Sequence, residues 1–340
     1  MKVFLIGPNF EKNSGQGVSK FSGYLYENLK SLDSETKLLS IGEPKNPYAM
    51  LINNTLGAFF KTLFAKADVF HFMMPENCFP CRIKRPSVVT VYDVIPLLIN
   101  ERKKSYNTYF KNMIKIALKA DHIVTISEST KKDMQKLFKI DDKKVSVILP
   151  GVDHSLFFPL KKDKNKVFTA GYIGGLGKRK NIQLILKTAK ELEKENIIFK
   201  IAGKGPQLNQ LLELKNNLNL NNVEFVGFVP ENKLNDFYNS LDVFLFPSFY
   251  EGFGLPVLEA MATGTPVVTS DVSSMPEITK DAGILINPNS VGNMKIAIKK
   301  IMKSKKLQDS MRKKGIKRAS EFSWRKSAEE IYKIYNNLKK

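Results

Sequence analysis

Two carboxylates, Glu251 and Glu259, bracket a glycine turn in the stretch Pro247 to Glu259, which reads PSFYEGFGLPVLE. A carboxylate only accepts hydrogen bonds, so this pair suits the hydroxyls of a ribose or a hexose. Between the two acids, Phe253, Gly254 and Leu255 stand where a helix is expected to begin, with Pro256 in its first turn. Amides at a helix start lack intrahelical partners and lie near the positive end of the dipole, where an anion such as phosphate is favoured. Acceptors for sugar hydroxyls on both sides of an anion-binding turn imply a nucleotide sugar as the ligand class. Upstream, GGLGKRKN sets Lys180 between a glycine loop and a helix start, the second candidate anion site.

These residues need a scaffold that ends strands in loops on one side, and the chain reads as one. A short apolar strand, Lys2 to Ile6, leads through a polar loop containing Gly15 and Gly17 into a helix-period segment, Val18 to Leu32. The loop lacks GxGxxG spacing, although two glycines there allow backbone amides to approach a ligand. Strands are expected at Lys37 to Ile41, Asp68 to Phe72, Ser87 to Val91, His122 to Ile126 and Lys144 to Ile148. Helices are expected over 47–65 and from Ser127, which reads as a cap. Tyr92 and Asp93 close the strand at Val91. Strands alternating with helices indicate a parallel sheet, whose ligands bind at the carboxyl ends of the strands.

The segment GVDHSLFFP with the basic run KKDKNK marks a connection over 151–166. A second alternating series follows: a strand Val167 to Ile173 before the glycine loop, and a helix from about Ile182. Then come a strand over 197–202 with Gly203 and Gly205 after it, a strand Val223 to Val226 ahead of Phe228, and a helix over 231–240. Val243 to Phe246, Pro266 to Val268 and Gly283 to Ile286 complete the strands, and from Ser290 the chain reads as helical to its end. Residues 103–119 interleave Tyr106, Phe110, Met113 and Ile114 with lysines, a pattern that suits a helix lying on a membrane and more often one facing a core.

Length and charge bound the remaining choices. At 340 residues the chain is comfortable for two domains. Its net charge of +21 divides as 27 basic against 16 acidic residues over 1–166 and 27 against 17 over 167–340. Within the second half, 16 of the basic and 4 of the acidic residues fall in 295–340, so basic character sits in the first half and the last helices. Such a balance favours phosphates or an anionic membrane. No zinc-finger spacing, aromatic RNP-type strand or clear helix-turn-helix supports a nucleic-acid partner. No apolar run reaches a membrane span and MKVFLIGPNF is short for a signal peptide, so a cytoplasmic protein, peripheral at most, is expected. Cys78 and Cys81 form a lone CFPC that reads as two small loop residues, since a zinc site wants two more ligands and the chain has three histidines.

Two Rossmann-like halves, the second carrying GGLGKRKN, GKGP and EGFGLPVLE in that order, resemble glycosyltransferase family 4. The E-x7-E motif is matched by Glu251 and Glu259, and the resemblance extends from the N-terminal glycine loop to FSWRKSAEEIYKIY. QGVSKFSGYLYENL, TVYDVIPL and GKRKN look most like the mannosyltransferase branch that uses GDP-mannose. The resemblance implies an α/β GT-B fold, two Rossmann-like domains facing across a cleft. An acceptor-side domain would take 1–150 and a nucleotide-sugar domain 167–322, with a helix over 323–340 returning to the first domain. It implies a retaining hexosyltransferase that uses a nucleotide-sugar donor and a glycan or lipid-linked acceptor. No DxD-type motif sits in a suitable loop, so no metal or other cofactor is expected, and the basic first half and tail point to an acceptor at a membrane.

By the same resemblance Glu259 would bind the donor ribose, Glu251 the hexose, and the amides of Phe253, Gly254 and Leu255 the diphosphate. Gly15, Gly17, Gly174, Gly203, Gly205 and Phe228 would line the donor, and Tyr92 and Asp93 the acceptor side. Lys180 would neutralise the leaving group. The family often has arginine where Gly175 stands, which leaves Arg179 as the substitute, and often histidine where Tyr92 stands. Tyrosine is a poor base at neutral pH. The alternatives left open are a UDP-sugar transferase, a GT-B nucleotide-sugar epimerase and an inactive subunit that only binds sugar nucleotides.

Overall fold

A computed structural model describes residues 1–7, 10, 17–32, 35–41, 53–99, 103–161 and 167–339. The chain divides into two compact units, Met1–Gly151 with Ser323–Lys340, and Val152–Phe322. Each is built on a six-stranded, wholly parallel sheet.

In the first unit the strands are β1 (Val3–Gly7), β2 (Thr36–Ser40), β3 (Val69–Phe72), β4 (Ser87–Val91), β5 (His122–Thr125) and β6 (Val145–Val147), in the order β2-β1-β3-β4-β5-β6. β3 and β4 are buried along their whole length, as expected of inner parallel strands covered by helices on both faces. Edge strand β2 is half-buried or exposed after Thr36. Ser127 caps the helix Glu128–Leu137 by accepting from the Thr130 amide. The helix Lys104–Ala117 turns Phe110, Met113, Ile114 and Ala117 into the core, so its apolar stripe is a packing face. Cys78 and Cys81 are fully buried: Cys78 links two 3-10 turns, Pro75–Asn77 and Phe79–Arg82, and Cys81 lies in the second, with their thiols directed at the carbonyls of Met113 and Ile116.

The last helix, Trp324–Lys339, belongs to this first unit. Trp324 stacks flat on Tyr24 at 4.9 Å and meets Phe21 edge-on. Tyr335 places its hydroxyl 2.5 Å from Nδ1 of buried His71, whose Nε2 lies 2.7 Å from the Thr90 hydroxyl. Where the chain leaves at Gly151, a Cβ would sit 2.1 Å from the backbone nitrogen of Trp324, so the outgoing and returning segments touch backbone to backbone.

The second unit has β7 (Phe168–Ile173), β8 (Ile197–Ala202), β9 (Val223–Gly227), β10 (Val243–Phe246), β11 (Val267–Ser270) and β12 (Gly283–Ile286), in the order β12-β11-β10-β7-β8-β9. From β7 the chain moves outward through β8 and β9, then returns to the other side of β7 through β10. The carboxyl ends of β7 and β10 therefore form the topological switch point, the place where doubly wound sheets bind ligands.

Several expected elements differ. Of the helix expected over 47–65, residues 47–52 lie outside the described residues, and the rest is a helical turn Asn53–Gly57 followed by Ala58–Leu63. Residues 231–240 divide into a 3-10 turn, Glu231–Lys233, and the helix Leu234–Ser240. The run after Ser290 forms three helices, Val291–Lys303, Lys305–Ala319 and Trp324–Lys339. Ser304 breaks the first from the second: extended at φ −132°, it caps the next helix by accepting from the Leu307 amide. A short helix, Met275–Thr279, was not expected.

Candidate active site

At the switch point of the second unit, two loops are fastened together. After β7, Gly174 adopts φ +155°, and its neighbour in space is Gly203 after β8, at φ +135°. A Cβ on Gly203 would lie 1.8 Å from the Gly174 carbonyl oxygen, so only glycine allows the two turns to meet. A Cβ on Gly205 would lie 2.5 Å from the backbone nitrogen of Leu176, whose amide donates to the Lys204 carbonyl. These glycines serve loop-to-loop packing. Gly175 has open space around it, and its carbonyl accepts from the Tyr172 hydroxyl at 2.8 Å.

The turn Lys178–Lys180 ends at Asn181, left-handed at φ +58°. The Asn181 side-chain Nδ2 donates to the carbonyls of Pro247 and Pro288, tying this turn to the segments after β10 and β12. The Phe249 amide donates to the Arg179 carbonyl at 2.9 Å. Lys180 and Arg179 are thereby delivered to Glu251: Lys180 Nζ lies 2.5 Å from Oε1 and Arg179 Nη1 lies 2.8 Å from Oε2. Arg179 also donates to the Tyr250 carbonyl, and the Lys180 ammonium sits 5.0 Å from the centre of the Phe246 ring. Burial pushes the Glu251 carboxyl up, but the charges of Lys180 and Arg179 outweigh it and hold the group below its ordinary range. Two cations thus share one buried carboxylate at the switch point.

Serines at the end of β11 and in the loop after it fix the backbone that carries Glu251. Ser273 accepts from the Glu251 amide, Ser274 donates to the carbonyls of Glu251 and Phe253, and Ser270 donates to that of Ser248. Gly254, at φ +119°, precedes the helix Leu255–Ala262, which has Pro in its first turn and no side-chain cap. Phe253 and Gly254 are buried and Leu255 is half-buried.

Glu259 is also buried, and its carboxylate accepts from the Tyr238 hydroxyl at 2.7 Å. Burial and then the Glu259 charge push that hydroxyl well above its usual range, so it remains a donor. Phe228 follows β9 with 60% of its surface exposed, and Lys204 Nζ stands 5.3 Å from its ring centre. The structure thus brings Lys180, Arg179 and Glu251 into one cluster and the three glycines into another, while Glu259 is turned to Tyr238.

In the first unit, Gly17 starts the helix Gly17–Leu32 with open space around it, and Gly15 lies outside the described residues. Tyr92 is buried after β4, its hydroxyl 3.2 Å from that of Ser22, and burial drives its pKa far above the ordinary tyrosine value. It is no base at neutral pH. Asp93 accepts from the Ile95 amide and so starts the short helix Ile95–Leu98. Sequence reasoning missed Asn181, Tyr238 and the three serines, because their partners lie far off in the chain; only Asn181, next to the lysine in GKRKN, lay within a motif already singled out.

Residues 152–318 match the family model described as glycosyl transferases group 1, and residues 26–156 match that described as glycosyltransferase family 4. The O-antigen chain mannosyltransferase RfbU of Salmonella typhimurium is 30% identical over 219 residues, 64% of this chain and 61% of that relative. The O-antigen chain mannosyltransferase B of Escherichia coli is 34% identical over 174 residues, 49% of this chain and 45% of that relative. The chain therefore matches less than two thirds of the length of either. The solved sucrose-phosphate synthase of Thermosynechococcus elongatus superposes with a TM-score of 0.85 at 17% identity, covering 99% of both chains, and identifies the fold as GT-B.

Proposed function

Because the chain belongs to family 4 of the glycosyltransferases, we propose that it is a retaining, metal-independent enzyme that moves mannose from GDP-mannose to a glycan or lipid-linked acceptor. The observation that carries this reading is the pairing of Lys180 and Arg179 with the single carboxylate of Glu251 where β7 and β10 end. The difficulty in glycosyl transfer is the negative charge that develops on the departing nucleoside diphosphate. In this reading Lys180 and Arg179, held in place by Glu251, bring two positive charges to where the diphosphate departs. Arg179 supplies the cation that family 4 often carries at the Gly175 position, and the helix start at Leu255 adds its dipole. Two fixed cations supply the charge stabilisation that a metal ion provides elsewhere.

In this reading Glu251 directs its remaining acceptor capacity to the hexose, Glu259 faces the ribose with Tyr238 orienting it, and exposed Phe228 offers a flat surface to the donor. The donor phosphate takes the proton of the attacking acceptor hydroxyl, which agrees with a Tyr92 that cannot act as a base. The names of both O-antigen relatives support mannose as the transferred sugar. In this reading the acceptor lies at the cytoplasmic face of a membrane, which the net charge of +21 supports.

Transfer and slow donor hydrolysis are to be measured with GDP-mannose and a panel of UDP-sugars, with and without chelator, the anomeric configuration of the product being read by NMR. Turnover of GDP-mannose alone, insensitive to chelator and with retention, is the expected result. Turnover only with a UDP-sugar overturns the donor, and binding without any turnover overturns the enzyme.

A further inference from the structure

The first unit carries an apolar surface that packing does not use. Leu56, Phe60, Leu63 and Phe64 stand on the solvent side of the segment from Asn53 to Phe64, 47%, 65%, 37% and 90% exposed. Their spacing of four, three and one is that of a single helical stripe, the pattern that normally faces a core. Beside it, Phe79 and Ile83 are 37% and 60% exposed on the 3-10 turn Phe79–Arg82 and the residue after it. Phe59 joins the two strips, its ring 5.6 Å from Phe60 and 6.1 Å from Phe79. Scattered exposed apolar residues are ordinary, but a contiguous aromatic ridge marks a docking surface.

The charge around the ridge selects its occupant. Lys61, Lys66, Arg82 and Lys84 lie within a few residues of the ridge side chains in sequence. Lys84 donates to the carbonyls of Leu63 and Ala65, which places its ammonium at the end of the ridge helix, and Lys61 donates to the Ser40 carbonyl. Lys66 and Arg82 are exposed and make no ion pair among the described residues. The only acids between 53 and 85 are Asp68 and Glu76, and both are engaged internally: Asp68 with the Lys2 amide and Lys339, Glu76 with the Tyr106 hydroxyl. A second copy of this chain would bring one basic rim against another. An anionic lipid surface meets both features, taking phenylalanines into the acyl boundary and lysine and arginine among its phosphates. No described helix is long and apolar enough to cross a membrane, so the contact is with one leaflet.

We propose that the ridge formed by Leu56, Phe60, Leu63, Phe64, Phe79 and Ile83, with its rim of Lys61, Lys66, Arg82 and Lys84, docks the protein on an anionic membrane. The inference deepens the proposed lipid-linked acceptor and names the surface that reaches it, in place of the helix Lys104–Ala117, whose stripe is used in packing.

The test is co-sedimentation of the whole chain, without donor or acceptor, with phosphatidylglycerol–phosphatidylcholine vesicles and with phosphatidylcholine alone, at low and high salt. The expected result is binding to the anionic vesicles that weakens with salt. The Phe60→Ser/Phe64→Ser variant is expected to lower partitioning at least about tenfold with an unchanged melting temperature, because these side chains are exposed. Lys66→Glu/Arg82→Glu is expected to abolish the preference for anionic lipid. Equal binding to both vesicles, or wild-type binding by the phenylalanine variant, overturns the proposal. So does a lipid-free dimer that the phenylalanine variant dissolves, since the ridge then takes a second copy. Transfer to a water-soluble acceptor is measured alongside. Its loss strikes the transferase reading and leaves the vesicle result standing, and the reverse holds equally.

Discussion

Lys180 and Glu251, 71 residues apart in the chain, meet at 2.5 Å where two neighbouring strands end. The lysine comes from the loop after β7 and the glutamate from the loop after β10, so the pair exists only because the sheet reverses its winding between these strands. Replacing Lys180 with Ala is expected to lower the transfer rate about 100- to 1000-fold, the range for losing one preorganised group that stabilises developing charge. Steady-state turnover with saturating donor is the measurement, and an unchanged rate removes Lys180 from the leaving-group site.

Glu251→Gln leaves two cations facing a neutral amide. Breaking a buried pair from one side costs about 3–5 kcal/mol, so a marked drop in melting temperature is expected at pH 7. The sign with pH follows from the depressed carboxyl: its contribution is complete above the ordinary value of 4.5 and is lost as pH falls below it through the lower folded value. Wild type and variant should therefore converge in stability in acid. Melting curves from pH 7 to pH 3 read this directly, and a constant gap across the range contradicts it.

His71 makes the opposite kind of acid lability. Burial, with a smaller effect from His122, lowers its pKa from 6.5 to about 3, so the folded protein holds it neutral while the unfolded chain protonates it. Its contribution is complete above about pH 6.5 and falls away as pH drops towards 3. By pH 5 this amounts to about 2 kcal/mol. His71→Gln should be less stable than wild type at pH 7 yet flatter between pH 7 and pH 5, as followed by thermal melts; parallel profiles would assign the acid sensitivity elsewhere.

Gly203→Ala forces a methyl group against the Gly174 carbonyl in a backbone conformation that L residues rarely adopt. Displacing the two loops is expected to cost about 1–3 kcal/mol and to weaken donor binding. Gly175→Ala meets nothing within 4 Å and serves as the contrast, with stability expected within about 0.5 kcal/mol of wild type. Calorimetric melts and nucleotide titration compare the two.

The parts of this molecule legible in sequence are those whose physics is local. Ser87–Val91, Ile197–Ala202, Val243–Phe246 and Gly283–Ile286 are read to the residue, because short apolar runs between turns are what sheet strands look like. Ser127 was readable as a cap because capping is a matter of three residues. Non-local relationships were not. Nothing in SDVSSMP announces that its serines brace a glutamate about twenty residues earlier, nor that Glu259 meets Tyr238. The stripe Leu56–Phe60–Phe64 reads as an ordinary core helix, and only its exposure distinguishes it. Residues 103–119 offered the same ambiguity, resolved the other way by burial of Phe110 and Ile114.

The backbone contact between Gly151 and Trp324 has a consequence for how the protein comes into being. The first unit is split in sequence, and its final helix is synthesised only after all of Val152–Phe322. While the chain grows, Phe21, Tyr24 and His71 have no Trp324 or Tyr335 to meet, so the half made first is the half completed last. The uninterrupted second unit can close its own core beforehand, reversing the usual order in which nascent domains mature. A truncation before Ser323 would leave the first unit with a permanently open flank, dependent on chaperones or lost to proteolysis.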